Sequence, residues 1–220
     1  EREREAMVAG AAAEVADLGL ARLTRSGRAE ERSRARRAVG VDADVERGAV
    51  RVGVARPAVG CGTFRVDDVE PVYRSLYTHH VAVSTWRPGP ERGADVAWTR
   101  RRARYVKTLA EPSGILLLAE RDARVVGALI GEVEVDPEGS DTFAIPDRVA
   151  HLHDLAVLPD ARGGGVGHAL MERFERELRA RDVVSYGLDV MAGNDAARGF
   201  YEALGFELAD LVFEKRLAGG

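Results

Sequence analysis

The run Leu155-Ala156-Val157-Leu158-Pro159-Asp160-Ala161-Arg162-Gly163-Gly164-Gly165-Val166-Gly167 constrains this chain more than any other segment. An apolar stretch ends at a proline turn and three consecutive glycines follow. Val166, Leu170, Phe174 and Leu178 then recur every four residues, the spacing of a helix with one apolar face. A strand, a glycine turn and a helix in that order aim backbone N–H groups outward where the helix begins, an arrangement suited to phosphate. Two nucleotide patterns fail here. The dinucleotide fingerprint needs a Gly or Ala where the frames from Gly163 and Gly165 reach His168 and Leu170. The triphosphate loop needs a Gly-Lys-Ser or Gly-Lys-Thr that this segment lacks.

A second motif lies downstream, Asn194-Asp195-Ala196-Ala197-Arg198-Gly199-Phe200-Tyr201-Glu202-Ala203-Leu204-Gly205-Phe206. Arg162-x-x-Gly165-x-Gly167, following Val157-x-Pro159, resembles the acyl-CoA pyrophosphate loop of the Gcn5-related N-acetyltransferase (GNAT) superfamily. The downstream run resembles that family's other cofactor-side element, Asn followed by Phe-Tyr-x-x-x-Gly-Phe. The resemblance spans Gly62 to Leu217. It implies a three-layer α/β/α domain with a mixed, mostly antiparallel central sheet, acetyl-CoA as co-substrate and an amine as acceptor, a small molecule rather than a protein. It also implies that Arg162 and the backbone of Gly163, Gly164, Gly165, Val166, Gly167 and His168 hold the pyrophosphate. The backbone of Leu155, Ala156 and Val157 would lie beside the acetyl and pantetheine groups, where in the family a bulge splays the strand from its neighbour. Asn194 would contact the pantetheine arm; an N-cap role for the helix after it fits equally and is compatible with the first.

Acyl transfer from a thioester to an amine needs a neutral amine, a donor for the carbonyl oxygen as charge develops there, and a proton for the leaving thiolate. Tyr201 follows Phe200 on a helix whose buried face would use Ala197, Phe200 and Leu204, so its hydroxyl is expected at the edge of that face as the general acid. Many family members carry a Glu before the Asp on the strand leading into the loop. Here that position is His153, in His151-Leu152-His153-Asp154-Leu155. An imidazole with an ordinary pKa near 6.5 has a neutral fraction able to accept a proton near pH 7. The competing reading makes His153 a structural histidine and gives the acidic role to Glu132, Glu134 or Asp154. Unbroken alternation would place His151, His153 and Leu155 on one face and Leu152, Asp154 and Ala156 on the other. His151, His153 and Asp154, even with His79 and His80, lack any strong zinc spacing, so no metal is expected.

Around these motifs the pattern alternates strands and helices. Thr63 to Val66 reads as a strand and Asp67-Asp68 as the cap of a helix to about His80. Asp95 to Leu109 reads as a helix whose Arg100, Arg101, Arg102 and Arg104 form a solvated surface. Ile115 to Glu120 and Val125 to Val135 form a hairpin, and Arg148 to Leu158, Ser185 to Met191 and Leu211 to Leu217 complete the strands. The resemblance assigns the acceptor pocket to Val81–Pro112, and the acidic Glu132, Glu134, Asp136 and Glu138 would suit a cationic amine. Residues 1–61 read as a separate Ala/Arg/Glu-rich arm, disordered or partly helical over Ala6 to Leu23, ahead of a domain over 62–217. Its Arg32, Arg34, Arg36 and Arg37 leave open a docking role, and with it a regulatory acyl-CoA-binding module instead of an enzyme. A net charge of −4 argues against nucleic acid as the main partner. No segment reads as a membrane span or secretory leader, and the single Cys61 suits a reducing cytoplasm. A homodimer is compatible with the resemblance.

Overall fold

The structure is a computed structural model that describes residues 45–47, 50–54, 66–87, 89–137 and 142–216, all within one compact unit, Val41–Gly220. Its strands are β1 (Val45–Arg47), β2 (Val50–Val54), β3 (Gly114–Arg121), β4 (Arg124–Val135), β5 (Arg148–Val157) and β6 (Ser185–Leu188). Its helices are α1 (Glu70–Val83), α2 (Ala94–Ala110), α3 (Val166–Arg179) and α4 (Asp195–Ala203). The strands form one sheet in sequence order, antiparallel except for the β5–β6 pair. That parallel pair requires a crossover, and α3 supplies it.

Alternation along the strands sorts the core into two clusters. Ile115, Leu117, Leu129 and Leu152 pack with Leu170 and Phe174 of α3. Leu116, Leu118, Ala128 and Ile130 pack with Val72, Tyr73, Trp98 and Tyr105 of α1 and α2. Helices thus cover both faces of a mixed sheet, the expected three-layer architecture. The β3–β4 hairpin closes through Asp122 and Ala123, both at positive φ (51° and 57°), the conformation a two-residue hairpin turn demands.

Three expectations change. The sheet begins before position 62: β1 and β2 fall inside the stretch read as an arm, and Val50 and Val52 are buried against α3's cluster. The sequence signal was the alternation Val50, Val52, Val54, obscured by the surrounding arginine-rich composition. No strand forms over 211–216, where Leu211, Val212 and Phe213 are exposed and have no ladder partner. The aspartates before α1 do not cap it: a 3-10 turn, Val66–Val69, precedes the helix, and Asp67 instead pairs with Arg102 of α2. The expected strand at 63–66 lies outside the described residues except for Val66, as do the helix over 6–23 and the arginine cluster at 32–37. Among the described residues no helix is long and apolar enough to cross a membrane.

Candidate active site

The glycine loop enters α3 through a 3-10 turn, Pro159–Ala161. Gly163 and Gly165 have φ of 74° and 77°, and Gly165 is the N-cap of α3. Only glycine adopts this conformation without strain. A Cβ at either position would meet no atom within 4 Å, so the loop surface is open to a ligand. No acidic residue stands in the first turn of α3, and the side chain of Arg162 folds back to donate from Nε to the Val157 carbonyl (3.1 Å). Together these features leave a positive, uncrowded helix N-terminus at the exit of β5.

One edge of β5 is open beside it. The parallel ladder to β6 pairs only Val149–Leu152 with Ser185–Leu188, so residues 153–157 have no β6 partner. Leu155, Ala156 and Val157 remain paired with Leu129, Ala128 and Gly127 of β4 on the other side. The backbone groups of this stretch that face away from β4 therefore form an open edge beside the chain that continues from β6 into α4.

Beside that edge β5 carries a bulge. Ile130 pairs with Asp154 and Gly131 with Leu152, leaving His153 as the extra residue. The bulge corrects the expected faces: Leu152 lies in the α3 cluster together with Leu155 and Val157, while Asp154 and Ala156 face α1 and α2. It sits opposite Gly131, where a Cβ would come within 2.7 Å of both the His151 carbonyl and the Phe174 ring. The absence of a side chain lets α3 press its largest aromatic against the distorted strand.

Nε2 of His153 lies 3.0 Å from Oε1 of Glu132, and its side chain is 22% exposed. The His151 ring stands 5.0 Å from that of His153, and its Nε2 is 3.4 Å from Asp189. Glu134 and Asp136 are exposed and make no part of this group, and Glu138 lies outside the described residues. Among the described residues no cluster of three or more His, Cys, Asp or Glu is placed to hold a metal ion.

Asp154, only 8% exposed, accepts hydrogen bonds on Oδ2 from Arg101 Nη1 (2.7 Å) and the Tyr105 hydroxyl (2.8 Å). The guanidinium of Arg101 also lies 5.6 Å from the Tyr73 ring centroid. Arg101 is thus not part of a solvated surface; Arg100 and Arg104 are exposed as expected. Burial, reinforced by Asp154, pushes the Tyr105 phenol far above its ordinary range. Reading the four arginines as one surface hid this network: only the helical offset from Arg101 to Tyr105, i and i+4, marked a shared face.

Tyr201 is half-buried between Phe200 and Phe206, with ring centroids at 5.3 and 5.4 Å. Burial, with a smaller contribution from Asp154, pushes its phenol up to about 12. Asn194 caps α4, its Oδ1 accepting from the Ala197 amide (3.3 Å), and the same oxygen lies 3.2 Å from Nε2 of His79. This joins the C-terminal half of α1 to the start of α4. His80, next to it, is held below its ordinary pKa, chiefly by burial, with Asp154 opposing and Arg101 and His79 assisting. Nothing in the sequence motifs placed His79 and His80 beside Asn194 and Asp154.

The chain belongs to the acetyltransferase (GNAT) family, whose model matches residues 75–206. An acetyltransferase of Pectobacterium atrosepticum is 30% identical over 115 residues, covering 52% of this chain and 73% of that protein. Among solved structures, a GCN5-related N-acetyltransferase from Ralstonia eutropha JMP134 superposes with a TM-score of 0.56 at 19% identity, covering 77% of this chain and 99% of that one. The aminoglycoside acetyltransferase AAC(6′)-Iy, solved with a bisubstrate analogue of CoA and an acetylated neamine, gives a TM-score of 0.55 at 16% identity, covering 77% and 99%. At these identities the structures share the fold; the family match identifies acyl transfer as the class of chemistry.

Proposed function

We propose that this protein is an N-acetyltransferase that moves an acetyl group from acetyl-CoA to a primary amine by direct attack, with a small-molecule amine as acceptor. The observation that carries the reading is the continuity of one surface: the left-handed glycine turn at the N-terminus of α3 adjoins the unpaired edge of β5, whose far side is flanked by α4 and Tyr201. An extended ligand with an anionic end and a polar arm fits that surface. Arg162 and the amides of Gly163 to His168 would hold the pyrophosphate, and along Leu155, Ala156 and Val157 the backbone groups that face away from β4, other than the Val157 carbonyl already bonded to Arg162, would accept the pantetheine and thioester, with Asn194 at its side.

In this reading Tyr201 gives its proton to the departing thiolate, a role its raised phenol pKa suits because the proton stays in place at every working pH. His153, beside Glu132, takes the proton from the amine, directly or through water. A primary amine fits the acidic and imidazole character of this face. The acetylated neamine in the bisubstrate analogue bound to AAC(6′)-Iy offers a first set of acceptors to try. The test is thiol release from acetyl-CoA over a panel of small amines, aminoglycosides included, followed by mass spectrometry of the product. Amine-dependent release with a gain of one acetyl group is expected. Tight acetyl-CoA binding with no release for any amine would instead mark a regulatory acyl-CoA-binding module.

A further inference from the structure

The β3–β4 hairpin overhangs the glycine loop. Val157, the last residue of β5, pairs with Gly127, yet β4 begins three residues earlier at Arg124, a reach of about 10 Å at ~3.3 Å per residue. The amide of Leu158 donates to the Val126 carbonyl (2.8 Å), tying the exit of β5 to the base of this overhang. Arg121, Asp122, Arg124 and Val126 line a cavity of about 140 Å³ with Asp160 and Ala161 of the connection to α3.

The two arginines at the hairpin tip are not equivalent. Arg124 Nη1 donates to Asp160 Oδ2 (2.6 Å), and that bond holds Asp160 below the usual carboxylate range. Arg121 turns back over the loop, its Nη2 only 3.0 Å from where a Cβ on Gly164 would stand. Among the described residues no carboxylate lies within ion-pair distance of Arg121. A half-buried guanidinium over a glycine turn, near an Asp160 whose carboxylate is already bonded to Arg124, offers its fork to an oxyanion from outside the chain.

We propose that Arg121 binds a phosphate group of the donor's nucleotide end, as a second cation beside Arg162; this rests on the acetyl-CoA reading above. The direction of the overhang supports it. The open edge of β5 runs from the bulge toward the loop, so the hairpin tip lies past the loop on the side remote from the acyl group. The pyrophosphate and the ribose 3′-phosphate both offer the chemistry Arg121 would recognise.

The experiment is calorimetric titration of the full chain with CoA and with 3′-dephospho-CoA, at low salt and at 1 M salt, for wild type, Arg121→Ala and Arg121→Lys. Arg121→Ala is expected to weaken CoA binding about tenfold, the size of one charge-assisted contact. The deficit should shrink at 1 M salt and be smaller for Arg121→Lys, which keeps the charge without the fork. A loss shared by both nucleotides assigns Arg121 to the pyrophosphate, and a loss confined to CoA assigns it to the 3′-phosphate; either upholds the proposal. Wild-type affinity in Arg121→Ala, or a loss that salt leaves unchanged, overturns it. Absence of CoA binding by the wild type would instead overturn the donor reading beneath it.

Discussion

The two sides of the bulged strand are built on opposite principles. Toward α3 and α4, the surface proposed for the donor is contiguous in sequence and made of backbone: a strand edge, a glycine turn and a helix start. Toward α1 and α2, the face is assembled from side chains far apart in the chain, with Arg101 and Tyr105 meeting Asp154 across 53 and 49 residues. A backbone site tolerates many side-chain changes but few changes of local conformation. A side-chain site has the reverse sensitivity, and its buried charges bind stability to function.

The largest separation between the two sides should appear in Asp154→Ala. It strands the Arg101 guanidinium and the Tyr105 hydroxyl without their acceptor, and loss of one partner of a buried ion pair costs about 3 kcal/mol. Chemical denaturation is expected to show that loss, and an unchanged midpoint would mean the pair contributes nothing. Tyr201→Phe should do the opposite, leaving stability nearly intact while lowering kcat about a hundredfold with little change in the KM for acetyl-CoA. Because burial and Asp154 push this phenol up to about 12, wild-type turnover should show no loss of the acid form between pH 8 and 10. A descending limb centred near pH 10, absent from Tyr201→Phe, would keep the role but show the phenol titrating at its ordinary value; full turnover in Tyr201→Phe would overturn the assignment.

Gly165→Ala probes the backbone side. Forcing an L residue to φ near 77° costs about 1 kcal/mol, which should surface as a raised KM for acetyl-CoA with kcat nearly unchanged. Equal KM values would show that the loop carries no donor contact. The smallest effect concerns His80. Its pKa in the fold lies below the ordinary 6.5, so the unfolded chain takes the proton first as pH falls. Its contribution to stability is complete above about 6.5 and is lost as pH drops toward the lowered folded value. His80→Gln should flatten that part of the stability profile; an identical acid slope in the variant would assign it to other groups.

Much of this division was legible beforehand. The glycine turn, the α3 stripe and the Asn194–Phe206 helix are local patterns, and the structure reproduces them with boundaries shifted by a residue or two. Strands at 45–54 were hidden because a short alternation of valines carries little weight inside a charged composition. The Asp154 network was unreadable for a different reason: helical spacing shows which residues share a face, not which carboxylate that face will meet. The resemblance implied a bulge in this strand, but its position was unreadable, since nothing in His151-Leu152-His153-Asp154 marks the extra residue.

That extra residue acts as a change of parity. A regular strand assigns even and odd positions to opposite sides for its whole length, so its inner and outer linings are one decision. By spending one position at His153, β5 makes that decision twice: Ala150 and Leu152 continue on the α3 side as Leu155 and Val157. The first half of the strand can then vary as core while the second half varies as a wall of the site. Alternation left unbroken through His153 would exchange the two linings beyond it, driving Asp154 toward Phe174 and Leu155 toward Arg101. In this chain the frame of a strand, as much as its residues, determines which chemistry faces the site.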